Sequence, residues 1–408
     1  VIFTSQDQAA LSARGIALVE AERQMALFKH PPAPAELARA CTVGDGVLRL
    51  SQAQQQDYEA KGAGLLASGR VTKFVPAAGA ATRMFQALQA DPHGKAAQEV
   101  LDQWGHFAFA KEFQEKDRMA ALLKRYATEP KALIPFHWHG DHSHSAFEDH
   151  LREAQALGIK EAHFSISAGQ REVFTRQLEA MKPPGLEVTF SEQKSSTDTL
   201  AADERAEPFR DSSGGLVFRP GGHGALLENL NALNADILLI KNIDNISHSR
   251  LWTESLRWKK ILLGLLLENS ASDRPSRVCG VVKNTGEPGG GPFWVRRGDK
   301  VDRQLVESAQ MNLNDPGQKG IFQSATHFNP VDIVASVKGF DLRQFRDNSA
   351  VFLSWKSRNG RSLHALELPG LWNGAMAEWQ TTFVEVPTET FNPVKTVNDL
   401  LKPAHQPA

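Results

Sequence analysis

Cysteine is almost absent from this chain of 408 residues, which holds only Cys41 and Cys279. Two thiols cannot build a disulfide framework or a cysteine-based zinc site, so the chain suits a reducing compartment. An excess of either charge is also lacking, with 46 lysines and arginines against 47 aspartates and glutamates. That balance argues against a general nucleic-acid or anionic-membrane binder and leaves room for a local basic pocket. The longest apolar run, Ile261-Leu-Leu-Gly-Leu-Leu-Leu267, is too short to span a bilayer and reads as a buried helix. The first residues show no basic stretch followed by an apolar core, so no secretory signal is expected and a cytoplasmic location is. No Gly-x-Ser-x-Gly elbow occurs, and Ser195-Ser-Thr-Asp-Thr199 reads as a loop, which leaves serine-nucleophile chemistry without support.

With 41% hydrophobic residues, the chain can bury a large core. Residues 1–69 read as helices, interrupted at Pro31-Pro32-Ala-Pro34. Residues 70–330 read as an α/β domain with a mostly helical stretch at about 85–129, and residues 331–408 as an α+β appendage. Apolar strands at Val71–Val75, Ala162–Ile166, Leu186–Phe190 and Ile237–Asn242 alternate with helical patterns such as Ala146–Leu157. This alternation predicts a mainly parallel sheet covered on both faces.

Five segments carry candidate chemistry. Val71–Val75 enters a loop of small residues, Ala78-Gly-Ala-Ala-Thr-Arg83. Such a loop lets backbone N–H groups approach phosphate oxygens, with Arg83 adding a guanidinium; packing of a helix on a sheet is the alternative reading. Asp244 follows an apolar strand, where a carboxylate suits Mg²⁺, or else caps a turn. Gly221, Gly222, His223 and Gly224 form a turn before a helix, able to press against a base or phosphate, or merely tight. Lys131 places a cation beside an extended piece. The run His137-Trp-His139-Gly-Asp-His142-Ser-His144 invites a zinc reading but lacks a helical i, i+4 pair and a defined tetrahedral set, which favours a polar loop.

In order, these pieces resemble the sugar-1-phosphate nucleotidyltransferases, above all the large UDP-sugar pyrophosphorylases. Within that superfamily the likeness is to a bacterial branch of unassigned function. Gly79-Ala-Ala-Thr-Arg83 resembles the family's Gly-x-Gly-Thr-Arg, with Ala81 where the second glycine stands. Pro130-Lys131, Phe190-Ser-Glu-Gln193, Pro220–Gly224, Asn242-Ile-Asp-Asn245 and Phe391-Asn-Pro-Val-Lys-Thr-Val-Asn-Asp-Leu-Leu401 match further motifs in sequence. The gap between Arg83 and Pro130 is longer than in the family, implying a helical insertion.

The resemblance implies a Rossmann-like, mainly parallel mixed sheet of the glycosyltransferase-A type. It also implies Mg²⁺-dependent nucleotidyl transfer from a nucleoside triphosphate, UTP favoured, to a sugar-1-phosphate. Arg83 and Lys131 would be catalytic. Ala78, Gly79, Ala80, Ala81, Thr82, Gln193, Gly221, Gly222, His223 and Gly224 would bind nucleotide. Asp244 and Asp332 would hold the metal, with Asn329 as alternative to Asp332. Lys283, Gly290, Glu307, Asn329 and Lys395 would face the sugar phosphate. A glycosyltransferase using a nucleotide-sugar donor and a non-catalytic nucleotide binder are the competing expectations. The oligomeric state and the role of residues 1–69 stay open.

Overall fold

A computed structural model describes residues 3–181, 184–269, 273–286, 289–358 and 360–407. The mostly apolar runs form the middle of a nine-stranded sheet, because strands covered on both faces are largely apolar along their length. Val71–Pro76 and Ile237–Ile240 are buried at every position. The sheet order is Thr42–Val43, Gly46–Leu48, Gln380–Glu385, Ser276–Lys283, His327–Ser336, Ile237–Ile240, Val71–Pro76, Glu161–Ile166 and Glu187–Glu192. Every neighbouring pair is parallel except the two that involve His327–Ser336. That single reversed strand begins where its neighbours end. The start of His327–Ser336 therefore joins the carboxyl ends of Val71–Pro76 and Ile237–Ile240 on one edge, where open α/β sheets collect ligands.

The predicted mixed, mainly parallel α/β class matches this sheet, but the segment boundaries do not. The sheet takes Thr42–Leu48 from the first segment and Gln380–Glu385 from the last, and position 331 falls inside His327–Ser336. The first segment is not all helix: Glu36–Ala40 pairs with Gly291–Arg297 in a separate three-stranded sheet. Helices Ser5–Ala13 and Leu18–Lys29 close over a four-stranded sheet through Phe3, Leu11, Met25, Phe28, Leu200 and Leu366. The stretch at about 85–129 is helical only in short pieces, Gln86–Ala90, Lys95–Asp102 and Arg118–Tyr126.

The apolar run Ile261–Leu267 lies in helix Trp252–Glu268, buried as predicted from Ile261 to Leu266. This helix crosses Gln52–Ala67 with backbones touching. A Cβ on Gly62 would lie 1.8 Å from the carbonyl oxygen of Lys260, and one on Gly264 would lie 1.9 Å from that of Tyr58. No helix among the described residues is long and apolar enough to cross a membrane.

Candidate active site

Beyond Pro76 the small-residue loop is fixed on both sides. The Ala77 amide donates to the Ser165 carbonyl (2.8 Å), Lys131 N–H to Gly79 (3.0 Å) and Ala81 N–H to Glu129 (2.9 Å). The Ser167 hydroxyl donates to the Ala78 carbonyl at 2.7 Å. Among the described residues, the amides of Ala78, Gly79, Ala80 and Thr82 donate to no protein acceptor. A tethered turn with successive unpaired N–H groups has the make-up of an anion cradle. A Cβ on Gly79 would meet no atom within 4 Å, so the approach to this backbone is open. Arg83 is exposed and makes no ion pair or side-chain hydrogen bond among the described residues.

Ala81, the departure from the family pattern, has an unstrained backbone. It opens a 3₁₀ turn, its φ is not positive, and its methyl is buried in the main core. The glycine expected there is therefore not demanded by conformation.

Asp244 lies beyond Ile237–Ile240 and gathers two lysines from distant parts of the chain. Lys131 Nζ lies 3.1 Å and Lys395 Nζ 2.9 Å from its Oδ2. Lys131 also donates to the carbonyl of Val394. Burial pushes the Asp244 carboxyl up, but Lys131 and then Lys395 outweigh it and hold the pKa below the usual carboxylate range. Lys131 is itself pushed down by burial, with Asp244 opposing.

The two motifs around this group dock on each other. Asn392 N–H donates to Asn245 Oδ1 at 2.8 Å, and Val394 N–H to the Asp244 carbonyl at 2.9 Å. Asp399 then shapes the turn that presents Lys395. Its Oδ2 accepts from the amides of Lys395 (2.8 Å) and Thr396 (2.7 Å). Val394 and Asp399 were missed as contributors. Asp399 stands four positions after Lys395, and acidic residues that follow a turn are frequent backbone acceptors.

The glycine turn borders the same edge of the sheet. Gly222 has φ +58°, while a Cβ on Gly221 or Gly224 would strike Thr197 or Leu368. The glycines thus serve a tight turn against neighbouring backbone. Gln193 Nε2 donates to the Gly222 carbonyl at 3.2 Å. The His223 imidazole is reached by solvent but flanked by Trp372, its ring centroid 5.5 Å away. Desolvation lowers its pKa; the charge of Asp244 opposes this, and those of Lys395 and Arg83 add to it. His223 therefore feels charges from Asp244, Lys395 and Arg83, which come from separate regions of the sequence.

On the other flank, Asn329 Nδ2 donates to Glu307 Oε1 at 3.0 Å. Burial raises the Glu307 pKa, with Asn329 and the charge of Lys395 opposing. Gly290 is close-packed, since a Cβ there would meet the Val306 carbonyl oxygen at 2.1 Å.

Two expected residues have other surroundings. Lys283 is exposed and lines a groove with Arg49, Trp258 and Glu385. Asp332 is 2% exposed and pairs with Lys259 at 3.3 Å and Lys241 at 3.9 Å, so its carboxylate is committed to buried lysines. Through these lysines it joins a buried group of Lys73, Glu153, Lys241 and Lys259. The histidine run is a two-stranded hairpin, Pro135–His139 with His142–Ser145, rather than a loop.

This fold is that of the nucleotidyltransferases in the form found in UDP-sugar pyrophosphorylases. A UDP-N-acetylglucosamine pyrophosphorylase from Trypanosoma brucei is similar over 98% of this chain and 79% of its own, at 14% identity and a TM-score of 0.57. A UDP-glucose phosphorylase from the same organism is similar over 97% and 77%, at 16% identity and a TM-score of 0.56. A UDP-glucose pyrophosphorylase variant from Leishmania major, solved with UDP-glucose, covers 98% and 79% at 14% identity and a TM-score of 0.54. By sequence the chain belongs to the DUF4301 family, a domain of unknown function, whose model matches residues 4–122, 111–273 and 269–406. None of the curated proteins matches it.

Proposed function

We propose that this protein transfers a nucleotidyl group, uridylyl favoured, from a nucleoside triphosphate to a sugar-1-phosphate. A phosphate oxygen of the sugar-1-phosphate attacks the α-phosphorus in line, the bond to the β-phosphate oxygen breaks, and pyrophosphate leaves. The protein then has to align two polyanions and offset the charge that builds on them. The observation that carries this reading is the meeting of Lys131 and Lys395 on Asp244, with the amide of the same Lys131 bonded to Gly79 of the small-residue loop.

Each group has a task in that step. The amides from Ala78 to Thr82 would take triphosphate oxygens, and Arg83, with no partner among the described residues, would add a bidentate fork. Lys131, held by Val394, is a fixed cation, while Lys395 is 64% exposed and can turn from Asp244 to an arriving phosphate. Gln193, Gly222 and His223 would face the base. Glu307 and Asn329 would accept and donate hydrogen bonds at the sugar hydroxyls.

The donor set suits one Mg²⁺. Both lysines bind Oδ2 of Asp244, and Oδ1 has no hydrogen-bond partner among the described residues, so it remains available. Mg²⁺ commonly takes one or two carboxylates and shares its other positions with water and phosphate. When bound, the ion would supply positive charge to the phosphates; Asp332, sealed against Lys259, is not needed for it.

Pyrophosphate release from paired nucleoside triphosphates and sugar-1-phosphates, with and without Mg²⁺, tests the proposal. UTP with one hexose-1-phosphate should release pyrophosphate only when Mg²⁺ is present. Sugar transfer from a UDP-sugar, with no pyrophosphate formed from any pair, would instead establish the glycosyltransferase reading.

A further inference from the structure

The hairpin histidines converge with residues that are distant in sequence. His137, His139 and Asp149 each offer a ligand atom, all within 4.8 Å of one another. Asp149 lies in the first turn of helix Ala146–Leu157 and is fully buried, as is His137. His144 brings its Nδ1 to 3.0 Å from Asp149 Oδ1. We propose that this cluster is a structural site for a divalent transition metal, best suited to Zn²⁺, held by His137, His139 and Asp149.

The distances favour an ion for His139. Its Nε2 is buried without a hydrogen-bond partner and faces Asp149 Oδ1 at 3.5 Å. That is longer than an ordinary N–H···O bond. It is close to the ligand–ligand separation of about 3.3 Å that zinc–ligand bonds of about 2.0–2.1 Å impose in a tetrahedron. The other ring nitrogens of His137 and His139 are engaged outward, as ligand imidazoles usually are. His139 Nδ1 lies 3.3 Å from Ser249 Oγ, and His137 Nε2 lies 2.9 Å from His405 Nδ1.

The surroundings are those of a closed structural site, not a substrate site. His248 stacks on His139 with centroids 4.2 Å apart, and its Nε2 reaches the Trp138 carbonyl at 3.0 Å. His248 N–H donates to the Ala404 carbonyl at 2.9 Å. A metal here would clamp the hairpin to the helix start and, through His405, to the carboxyl-terminal segment. Imidazole with one carboxylate suits Zn²⁺ better than the oxygen-seeking Mg²⁺. The assignment does not depend on the nucleotidyl-transfer reading.

Metal analysis of the untagged full chain tests it. Protein stripped by chelator and given Zn²⁺ should retain about one equivalent through gel filtration and melt at a higher temperature. His139→Ala and Asp149→Asn should lose that equivalent, whereas His142→Ala should keep it, because His142 is exposed and pairs with Asp141. Co²⁺ added to the stripped wild-type protein should give the intense visible bands of a tetrahedral site, a readout that needs no variant to fold. Wild-type protein that retains no stoichiometric Zn²⁺ and shows no such Co²⁺ bands would overturn the proposal. Equal loss in His142→Ala would do the same by placing the ion on the surface.

Discussion

Lys395 reaches Oδ2 of Asp244 across 2.9 Å although the two stand 151 positions apart in the chain, because Val394 and Asn392 bond to the backbone and side chain of Asp244–Asn245. The ammonium is mostly exposed, and an exposed ion pair contributes only about 0–1 kcal/mol to stability. Lys395→Ala should therefore melt within a few degrees of wild type. Nucleotidyl transfer should nevertheless fall by about 10²–10³-fold, the usual cost of losing one group that stabilises developing charge. Parallel melting curves and pyrophosphate assays check this; unchanged turnover would remove Lys395 from the site.

Ala81 allows a prediction in the opposite direction. Its ordinary backbone and buried methyl mean that restoring the family's glycine offers the loop nothing. Ala81→Gly should cost about 1 kcal/mol through backbone entropy and lost packing. Urea midpoints measure that loss. Initial rates at saturating substrate should not rise, and a large gain would show that the methyl obstructs the triphosphate.

The middle of the sheet could be read from its sequence because Ile237–Ile240 is an unbroken apolar run and Val71–Val75 is interrupted only by Thr72 and Lys73, a pattern that suits a doubly covered strand. The edges could not. Thr42–Val43 and Gly46–Leu48 are too short to carry a period, so the first segment read as helix. Within the site, motif order placed Lys131, Asp244 and Lys395 together, but proximity to a motif could not place Asp332, whose environment depends on how its strand packs. Lys73, Lys241 and Lys259 carried a signal that was not used: lysine amid apolar residues is costly to bury and implies a paired interior group. His248 and His405 lay outside the histidine run, and only the tertiary fold brings them to His137 and His139.

That buried group gives the protein a specific acid sensitivity. Glu153 and Lys73 are fully buried 2.7 Å apart, and Lys241 and Lys259 approach the same carboxylate at 3.2 and 3.1 Å. Burial alone raises the Glu153 pKa, but the three ammonium groups outweigh it and hold it well below the ordinary 4.5. A depressed carboxyl contributes its full stability above the unfolded value and loses it as the pH falls toward the folded one. His150, held by burial well below 6.5, acts in the same direction, since the unfolded chain gains its proton first. Stability should thus decline as the pH drops below about 6.5 and more steeply below about 4.5. Glu153→Gln should be less stable at pH 7 and show a flatter acid limb. Urea midpoints from pH 7 to pH 3 read both effects, and identical limbs would dissociate Glu153 from the transition.

The crossing of helices Gln52–Ala67 and Trp252–Glu268 makes the last case, because it depends on the absence of two side chains. A methyl on Gly62 would sit 1.8 Å from the Lys260 carbonyl oxygen, and one on Gly264 1.9 Å from that of Tyr58. Neither obstacle is a side chain that can rotate away, so relief requires the helices to separate along the contact. In an exposed helix, Gly→Ala stabilises by about 0.5–1 kcal/mol through propensity. Here the overlap should reverse that sign and cost about 1–3 kcal/mol, as other overpacked cores do. Gly64 lies in the same helix, and a Cβ there would meet no atom within 4 Å. Gly64→Ala should therefore stabilise while Gly62→Ala and Gly264→Ala destabilise. Chemical denaturation of the three variants measures the contrast, and the same sign in all three would show that the helices do not touch at these glycines.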